Sequence, residues 1–120
     1  MTRLHGIPNC DTVKRARAWL TAQGHAHEFH DFKKAGVPAD RLDAWIAALG
    51  GWEPLVNRQG TTWRKLDDAR KAAVVDAASA KALMLEEPSV IKRPVVDWAD
   101  GRTTVGFDAA GWATYLPTPR

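Results

Sequence analysis

The first thirty residues carry the pattern that most constrains the fold of this chain. A short extended run at residues 2–5 meets a Gly-x-Pro turn, and an amphipathic helix follows, ending near Gly24. The apolar residues of this helix recur at helical spacing: Val13, Ala16 and Leu20. Residues 26–32 then alternate and contain aromatic side chains, which predicts a second strand. Because such strand–helix–strand crossovers are right-handed, we expect the two strands to lie parallel in one sheet.

Cys10, the only cysteine in the chain, falls where this helix should begin. The N-terminus of a helix presents free N–H groups and the positive end of the dipole, and both lower the pKa of a thiol. The same N–H groups can bind an anion. A lone cysteine is often only a small buried apolar residue, but the strand–turn–helix context predicts a reactive thiol here.

Composition limits the classes of function that fit. A single cysteine excludes an internal disulfide and suggests a reducing compartment. There is no apolar run of about 20 residues, so we expect a cytoplasmic protein without membrane contact. The net charge of +3 with scattered acidic residues fits an anionic small substrate, and nucleic acid binding is not expected. The four histidines lack the spacing of a zinc site, so no metal is expected.

The rest of the chain predicts a helical block followed by a hairpin. A helix starts at Pro38 and ends at Gly50-Gly51, residues 33–37 form a polar turn and residues 57–65 an exposed loop. Two further helices are predicted at 66–75 and 79–86, with an N-cap at either Asp76 or Ser79. Asp100-Gly101 then predicts a hairpin turn, 103–107 the returning strand, and Asp108 the cap of a terminal helix.

This order of elements is that of an α/β thioredoxin-like fold with a helical insertion. We expect one domain over residues 1–120, with a mixed four-stranded sheet in a core of about 1–33 and 88–120 and an insertion of about 34–87. Helical spacing places four tryptophans in the core: Trp19, Trp45, Trp52 and Trp112. Trp63 could either cover a ligand or fill the core of the insertion.

Four segments of the sequence resemble a known family. They are H-G-I-P-N-C-D-T-V-K-R-A from residue 5, N-R-Q-G-T-T-W-R-K-L from residue 57, D-A-A-S-A-K-A-L-M from residue 76 and P-S-V-I-K-R-P-V-V from residue 88. Together they are similar to the ArsC/Spx family of arsenate-reductase-like proteins, and most closely to its YffB subgroup. The resemblance covers nearly the whole chain and implies a thiol chemistry at Cys10.

The resemblance also implies roles for individual residues. Cys10 matches the family's nucleophile, Arg93 an anion-binding arginine, and Pro94 the cis-proline. Arg58 falls, after a gap, near a second anion-binding arginine. Two more residues are candidates for substrate binding: Arg64, which could reach the site or simply be a solvated loop residue, and Thr12, which could bind the sulfur or serve the first helical turn.

Three departures from the family pattern bear on function. Gly106 occupies the place of a third arginine, Gly6 stands where arsenate reductases have a histidine, and there is no second cysteine for the Cys-x-x-Cys of Spx regulators. The resemblance therefore implies a glutathione-dependent thiol or disulfide reductase with glutathione as co-substrate. Glutaredoxin is a further candidate partner, and we expect a monomer. The alternatives are arsenate reductase proper, an Spx-like partner of RNA polymerase without a redox switch, and a structural relic without activity.

Overall fold

The computed structural model describes residues 1–116, and the chain divides into two compact units. One unit comprises Met1–Asp31 and the chain from Arg93 onward, and the other is Phe32–Lys92. The predicted insertion, 34–87, lies within the second unit, while the expectation of one domain stays a prediction. No helix in the described residues is both long and apolar enough to cross a membrane.

The secondary structure follows the predicted order. The strands are β1 Thr2–Gly6, β2 His27–Asp31, β3 Val95–Asp97 and β4 Thr103–Val105. The helices are α1 Asp11–Ala22, α2 Phe32–Ala35, α3 Ala39–Leu49, α4 Thr61–Arg64, α5 Asp68–Ala72, α6 Ala77–Glu86 and α7 Ala109–Ala113. Short 3₁₀ turns occur at Glu53–Leu55 and Pro88–Val90.

The four strands of the first unit form one mixed sheet in the order β2-β1-β3-β4. β1 pairs with β2 in parallel, and β3 is antiparallel to both β1 and β4. In the central register, Leu4 lies opposite Phe29 on one side and Val96 on the other. The predicted mixed sheet and its parallel first pair are confirmed.

The core of the first unit forms where α1 packs on the sheet. The apolar stripe of α1 is fully buried against Leu4 and Val96. Two tryptophans complete the cluster, with the rings of Trp98 and Trp112 meeting edge to face at 5.1 Å between centroids. Burial of this apolar surface is the main force that holds α1 in place.

The second unit contains helices α3 and α6 and the short elements around them. The buried side chains include Leu42 and Trp45 from α3 and Leu83 and Met84 from α6. Asp76 is the N-cap of α6, and it forms a capping box with Ser79, so the structure selects Asp76 from the two predicted caps. α3 ends at Gly50 in the left-handed conformation, at the predicted stop.

Several sequence predictions of secondary structure were wrong in detail. Residues 57–65 are not entirely a loop, because α4 lies within them, and the polar turn at 33–37 contains the end of α2. The predicted helix at 66–75 is shorter, at Asp68–Ala72. Helices of four residues are too short to show a periodic pattern, which is why the sequence does not indicate α2 and α4.

Two further corrections concern the C-terminal part of the chain. The strand predicted at 103–107 ends at Val105, because Gly106 has a φ of +84°. Asp108 is the N-cap residue of α7, but its side chain accepts no capping hydrogen bond. The prediction that all four tryptophans are core residues was also too strong, because Trp19 and Trp52 are only partly buried.

We expect stability to depend on the protonation of His5. Its side chain is 1% exposed, and its Nε2 lies 3.1 Å from Oδ2 of Asp97. Burial lowers the pKa of His5, and Asp97 offsets only part of this effect. Unfolded His5 takes a proton near pH 6.5. The unfolded chain therefore binds more protons just below that pH, and stability falls as the pH decreases through this window.

Urea unfolding of the wild type and His5→Gln at pH 5 and pH 7 measures this effect. The free energy of unfolding is expected to decrease more steeply toward pH 5 in the wild type than in the variant. The same pH dependence in both proteins would contradict the assignment to His5.

Candidate active site

Cys10 lies at the junction between the end of β1 and the start of α1. It is the N-cap residue of α1, with extended backbone angles (φ −128°, ψ 124°), and its carbonyl accepts the first helical hydrogen bond from the N–H of Lys14 at 2.9 Å. The side chain is partly exposed and free of any disulfide. The thiol is therefore placed at the helix terminus, as the sequence predicts, and it is accessible to a small reactant.

The surroundings of Cys10 lower the pKa of its thiol. Burial raises the pKa of the thiol, but several neighbours together lower it by more. They are the backbone N–H of Val13, the Arg93 guanidinium, which acts through a hydrogen bond and through its charge, and the backbone N–H of Thr12. The Cys10 side chain makes no cap hydrogen bond of standard geometry, so the two N–H groups act on the sulfur as oriented dipoles. The net result favours a thiolate.

Arg93 and Pro94 approach Cys10 from the start of β3. The peptide bond between them is cis, in agreement with the role that the resemblance implies for Pro94. The carbonyl of Pro94 accepts a hydrogen bond from the N–H of Gly106 at 2.9 Å, which ties this segment to the end of β4. The guanidinium of Arg93 thus acts on the thiol from a backbone that is anchored in the sheet.

Gly6 allows β1 and α1 to approach each other closely beside Cys10. A Cβ atom at position 6 would lie 2.9 Å from Cγ2 of Val13 and 3.9 Å from the Cβ of Arg93. The first distance is shorter than carbon atoms tolerate, so the packing of the strand end on the first turn of the helix requires glycine. This close packing explains why a glycine occupies position 6, where arsenate reductases have a histidine.

The backbone conformation at position 106, where the family has a third arginine, also favours glycine. Gly106 has a φ of +84°, in the region that favours glycine. An arginine at this position would be strained in the observed backbone conformation, by about 1–2 kcal/mol. The described part of the chain therefore offers the thiol a guanidinium from Arg93 but none from residue 106.

The remaining predicted site residues divide between the two units. Thr12 acts on Cys10 through its backbone N–H. Arg58 and Arg64 belong to the second unit, where the guanidinium of Arg58 lies over the rings of Trp52 and Trp63. Arg64 is exposed at the end of α4. Their predicted role in anion binding stays a prediction.

Sequence reasoning missed one contributor to the site and one buried pair. The N–H of Val13, three residues after the N-cap, acts on the thiol, and counting along the first helical turn could have identified it. The contact between His5 and Asp97 joins residues 92 positions apart and left no local pattern. Among residues 1–116, no three His, Cys, Asp or Glu side chains are grouped in a way that could hold a metal ion.

A thiolate in these surroundings can perform thiol–disulfide exchange. It can attack a disulfide sulfur, and the cationic neighbour favours an anionic reactant. Because the chain has no second cysteine, the resulting disulfide can be resolved only by another molecule. The chemistry of the site is therefore that of a single nucleophilic sulfur.

Solved structures with similar folds have related sequences. The YffB protein superposes with a TM-score of 0.90 at 47% identity, covering 98% of this chain and 100% of that chain. An arsenate reductase (ArsC) related protein from Brucella melitensis has a TM-score of 0.72 at 47% identity, covering 95% of this chain and 92% of that chain. The thioredoxin-like fold predicted from the sequence is confirmed by these neighbours.

Curated relatives include both an uncharacterised protein and a regulator. A protein of Haemophilus influenzae is 38% identical over 108 residues, which cover 90% of this chain and 92% of the relative. The global transcriptional regulator Spx of Streptococcus agalactiae is 27% identical over 121 residues, with 98% and 84% covered. The ArsC family model matches residues 5–115. This match spans nearly the whole chain and includes Cys10, Arg93 and Pro94, and the chain therefore belongs to the ArsC family.

Proposed function

We propose that this protein is a glutathione-dependent thiol reductase in which Cys10 is the nucleophile. The observation that carries the proposal is the lowered pKa of Cys10 at the start of α1, beside the guanidinium of Arg93. Membership of the ArsC family and the arsenate-reductase-related neighbour support an oxidoreductase in general terms. The single cysteine then requires an external thiol, and glutathione is an anionic thiol that suits the cationic neighbour of Cys10.

The reaction proceeds in two exchange steps. The Cys10 thiolate attacks the glutathione sulfur of a substrate disulfide, forming a Cys10–glutathione disulfide while the substrate leaves as a thiolate. The thiolate of a second glutathione then attacks that mixed disulfide, which regenerates Cys10 and releases oxidised glutathione. In sum, the substrate–glutathione disulfide and one glutathione thiolate give the substrate thiolate and oxidised glutathione, so one disulfide replaces another and atoms and electrons balance.

Mass spectrometry after incubation with oxidised glutathione tests this proposal. The wild type is expected to gain one glutathione per chain, to lose it on addition of reduced glutathione, and to give a modified peptide containing Cys10. Cys10→Ser serves as the control for non-covalent adducts. If the wild type gains no adduct, or keeps it in excess reduced glutathione, the proposed function is wrong.

The similarity to Spx supports a second candidate function, a regulator that binds RNA polymerase. Such a role would need the fold and its surface but no reactive thiol, because this chain cannot form an internal redox disulfide. Polymerase binding that is unchanged in Cys10→Ser, together with the absence of a glutathione adduct, would favour the regulator over the reductase.

A further inference from the structure

Helix α1 carries three cationic side chains in the half that begins at the thiol. Lys14, Arg15 and Arg17 lie in its first two turns, whereas its last turn contains no basic residue. The dipole of a helix favours cations at the C-terminal end, so this arrangement does not serve the stability of α1. The positive charge is instead concentrated at the end of the helix that bears Cys10.

Two of these cations lie on the same side of α1 as the thiol. At 3.6 residues per turn, positions 14 and 17 lie within about 40° of position 10 around the helix axis, whereas position 15 lies about 140° away. The rise of about 1.5 Å per residue places Arg17 about 10 Å beyond Cys10 along the axis. Lys14 and Arg17 therefore form a cationic stripe that begins one turn after the thiol.

The Arg17 side chain is held against the sheet by an aromatic ring. The central carbon of its guanidinium lies 4.2 Å from the ring centroid of Phe29, which belongs to the edge strand β2. The preceding residue, Glu28, points to the other face of the sheet, where its carboxylate pairs with Arg3 at 2.9 Å. The acidic residue next to Phe29 in the chain thus does not neutralise Arg17.

Neither cation of the stripe is neutralised by an acidic side chain within residues 1–116. Asp11, the only acidic residue of α1, lies in the first turn and makes no ion pair with Lys14 or Arg17. Neither cation is among the groups that lower the pKa of Cys10. The ion pairs of this part of the chain use other cations, among them Arg3, Arg70, Lys81 and Arg102. The stripe is therefore available to a partner of opposite charge.

We propose that the cationic stripe binds acidic side chains of a protein substrate whose cysteine carries glutathione. The inference rests on the proposed reductase function and names its substrate class. The Cys10 thiolate attacks the glutathione sulfur, the protein substrate leaves as a thiolate, and the stripe acts on the encounter. An extended chain spans about 3.3 Å per residue, so acidic side chains two and three positions from the substrate cysteine would reach Lys14 and Arg17.

Glutathione transfer from two matched peptides tests this proposal. Both are blocked heptapeptides with glutathione on a central cysteine, and their two outer positions on each side are either all aspartate or all asparagine. At about 20 mM salt, the wild type is expected to react about five- to tenfold faster with the aspartate peptide. At about 0.5 M salt, the ratio of the two rates is expected to fall below about two, because salt screens exposed charges.

Removal of single charges from α1 shows whether the stripe causes this preference. Lys14→Gln and Arg17→Gln are each expected to lower the ratio about two- to threefold, and the double variant is expected to bring it to about one. Arg15→Gln removes an equal charge from an exposed position outside the stripe and is expected to keep the wild-type ratio. Each ratio compares two substrates of one variant, so any change in the reactivity of Cys10 cancels.

The possible outcomes separate this proposal from the reductase itself. Equal rates for the two peptides in the wild type would overturn the stripe and leave the reductase intact. The same conclusion follows if Arg15→Gln lowers the ratio as much as Arg17→Gln, because net charge alone would then explain the preference. If the double variant slows both peptides equally, the stripe binds glutathione rather than the protein substrate, and the proposal is wrong. Transfer from neither peptide would overturn the reductase, and the substrate class with it.

Discussion

In Arg93→Ala, alkylation of Cys10 by iodoacetamide at pH 7 is expected to slow by about five- to tenfold. Burial raises the pKa of the thiol, and the hydrogen bond and charge of the Arg93 guanidinium are among the effects that reverse this. Their removal raises the pKa, so less thiolate is present at neutral pH. The midpoint of the rate against pH is expected to move to higher pH, and glutathione adduct formation at pH 7 is expected to slow as well.

A matched control separates this local effect from the loss of one positive charge. Arg102→Ala removes an arginine from the same unit, where Arg102 binds Asp100 and lies over Tyr115 rather than beside the thiol. Its alkylation profile is expected to match the wild type. If both variants shift the profile equally, or neither does, Arg93 does not activate Cys10.

Trp112→Ala is expected to lower the free energy of unfolding by about 3–5 kcal/mol. The Trp112 side chain is 2% exposed, and its ring meets the edges or faces of Trp98 and Phe107 at centroid distances of 5.1 and 4.8 Å. Truncation to alanine removes these contacts and leaves a cavity beside α1. A domain typically has a total stability of about 5–15 kcal/mol, so the variant would retain only part of its stability.

Urea unfolding followed by far-ultraviolet circular dichroism measures this loss. Trp112→Phe keeps an aromatic ring in the cluster and is expected to lose less than half as much. Trp19→Ala, on the partly exposed rim of the same cluster, is also expected to cost less. A loss below about 1 kcal/mol in Trp112→Ala would show that the cluster does not stabilise the unit as the burial indicates.

The first strand, helix and strand could be predicted from sequence because each has a local cause. The stripe of Val13, Ala16 and Leu20 indicates the buried face of α1, and all three residues are buried. The placement of Cys10 followed from the start of that stripe. The pairing of β1 with β2 then followed from the handedness of the crossover, which needs no information about distant residues.

Features that depend on distant residues could not be predicted in this way. Periodicity shows which side of a helix is apolar but not how fully a neighbouring element covers it, and Trp19 and Trp52 are therefore more exposed than expected. The contact of Arg93 with Cys10 required the register of β3, and the resemblance supplied it rather than any local pattern. The rings around Arg58 come from two short elements whose packing has no sequence period.

The short connection between Arg93 and β3 limits where insertions and deletions can be tolerated during evolution. Burial of Val96 opposite Leu4 fixes the register of β3. One residue inserted between Arg93 and that strand would displace the guanidinium by about 3.3 Å. Length changes elsewhere in 32–92 need not alter that spacing. Insertions and deletions in natural homologues are therefore expected to be absent from this junction, even where the segment before it varies in length.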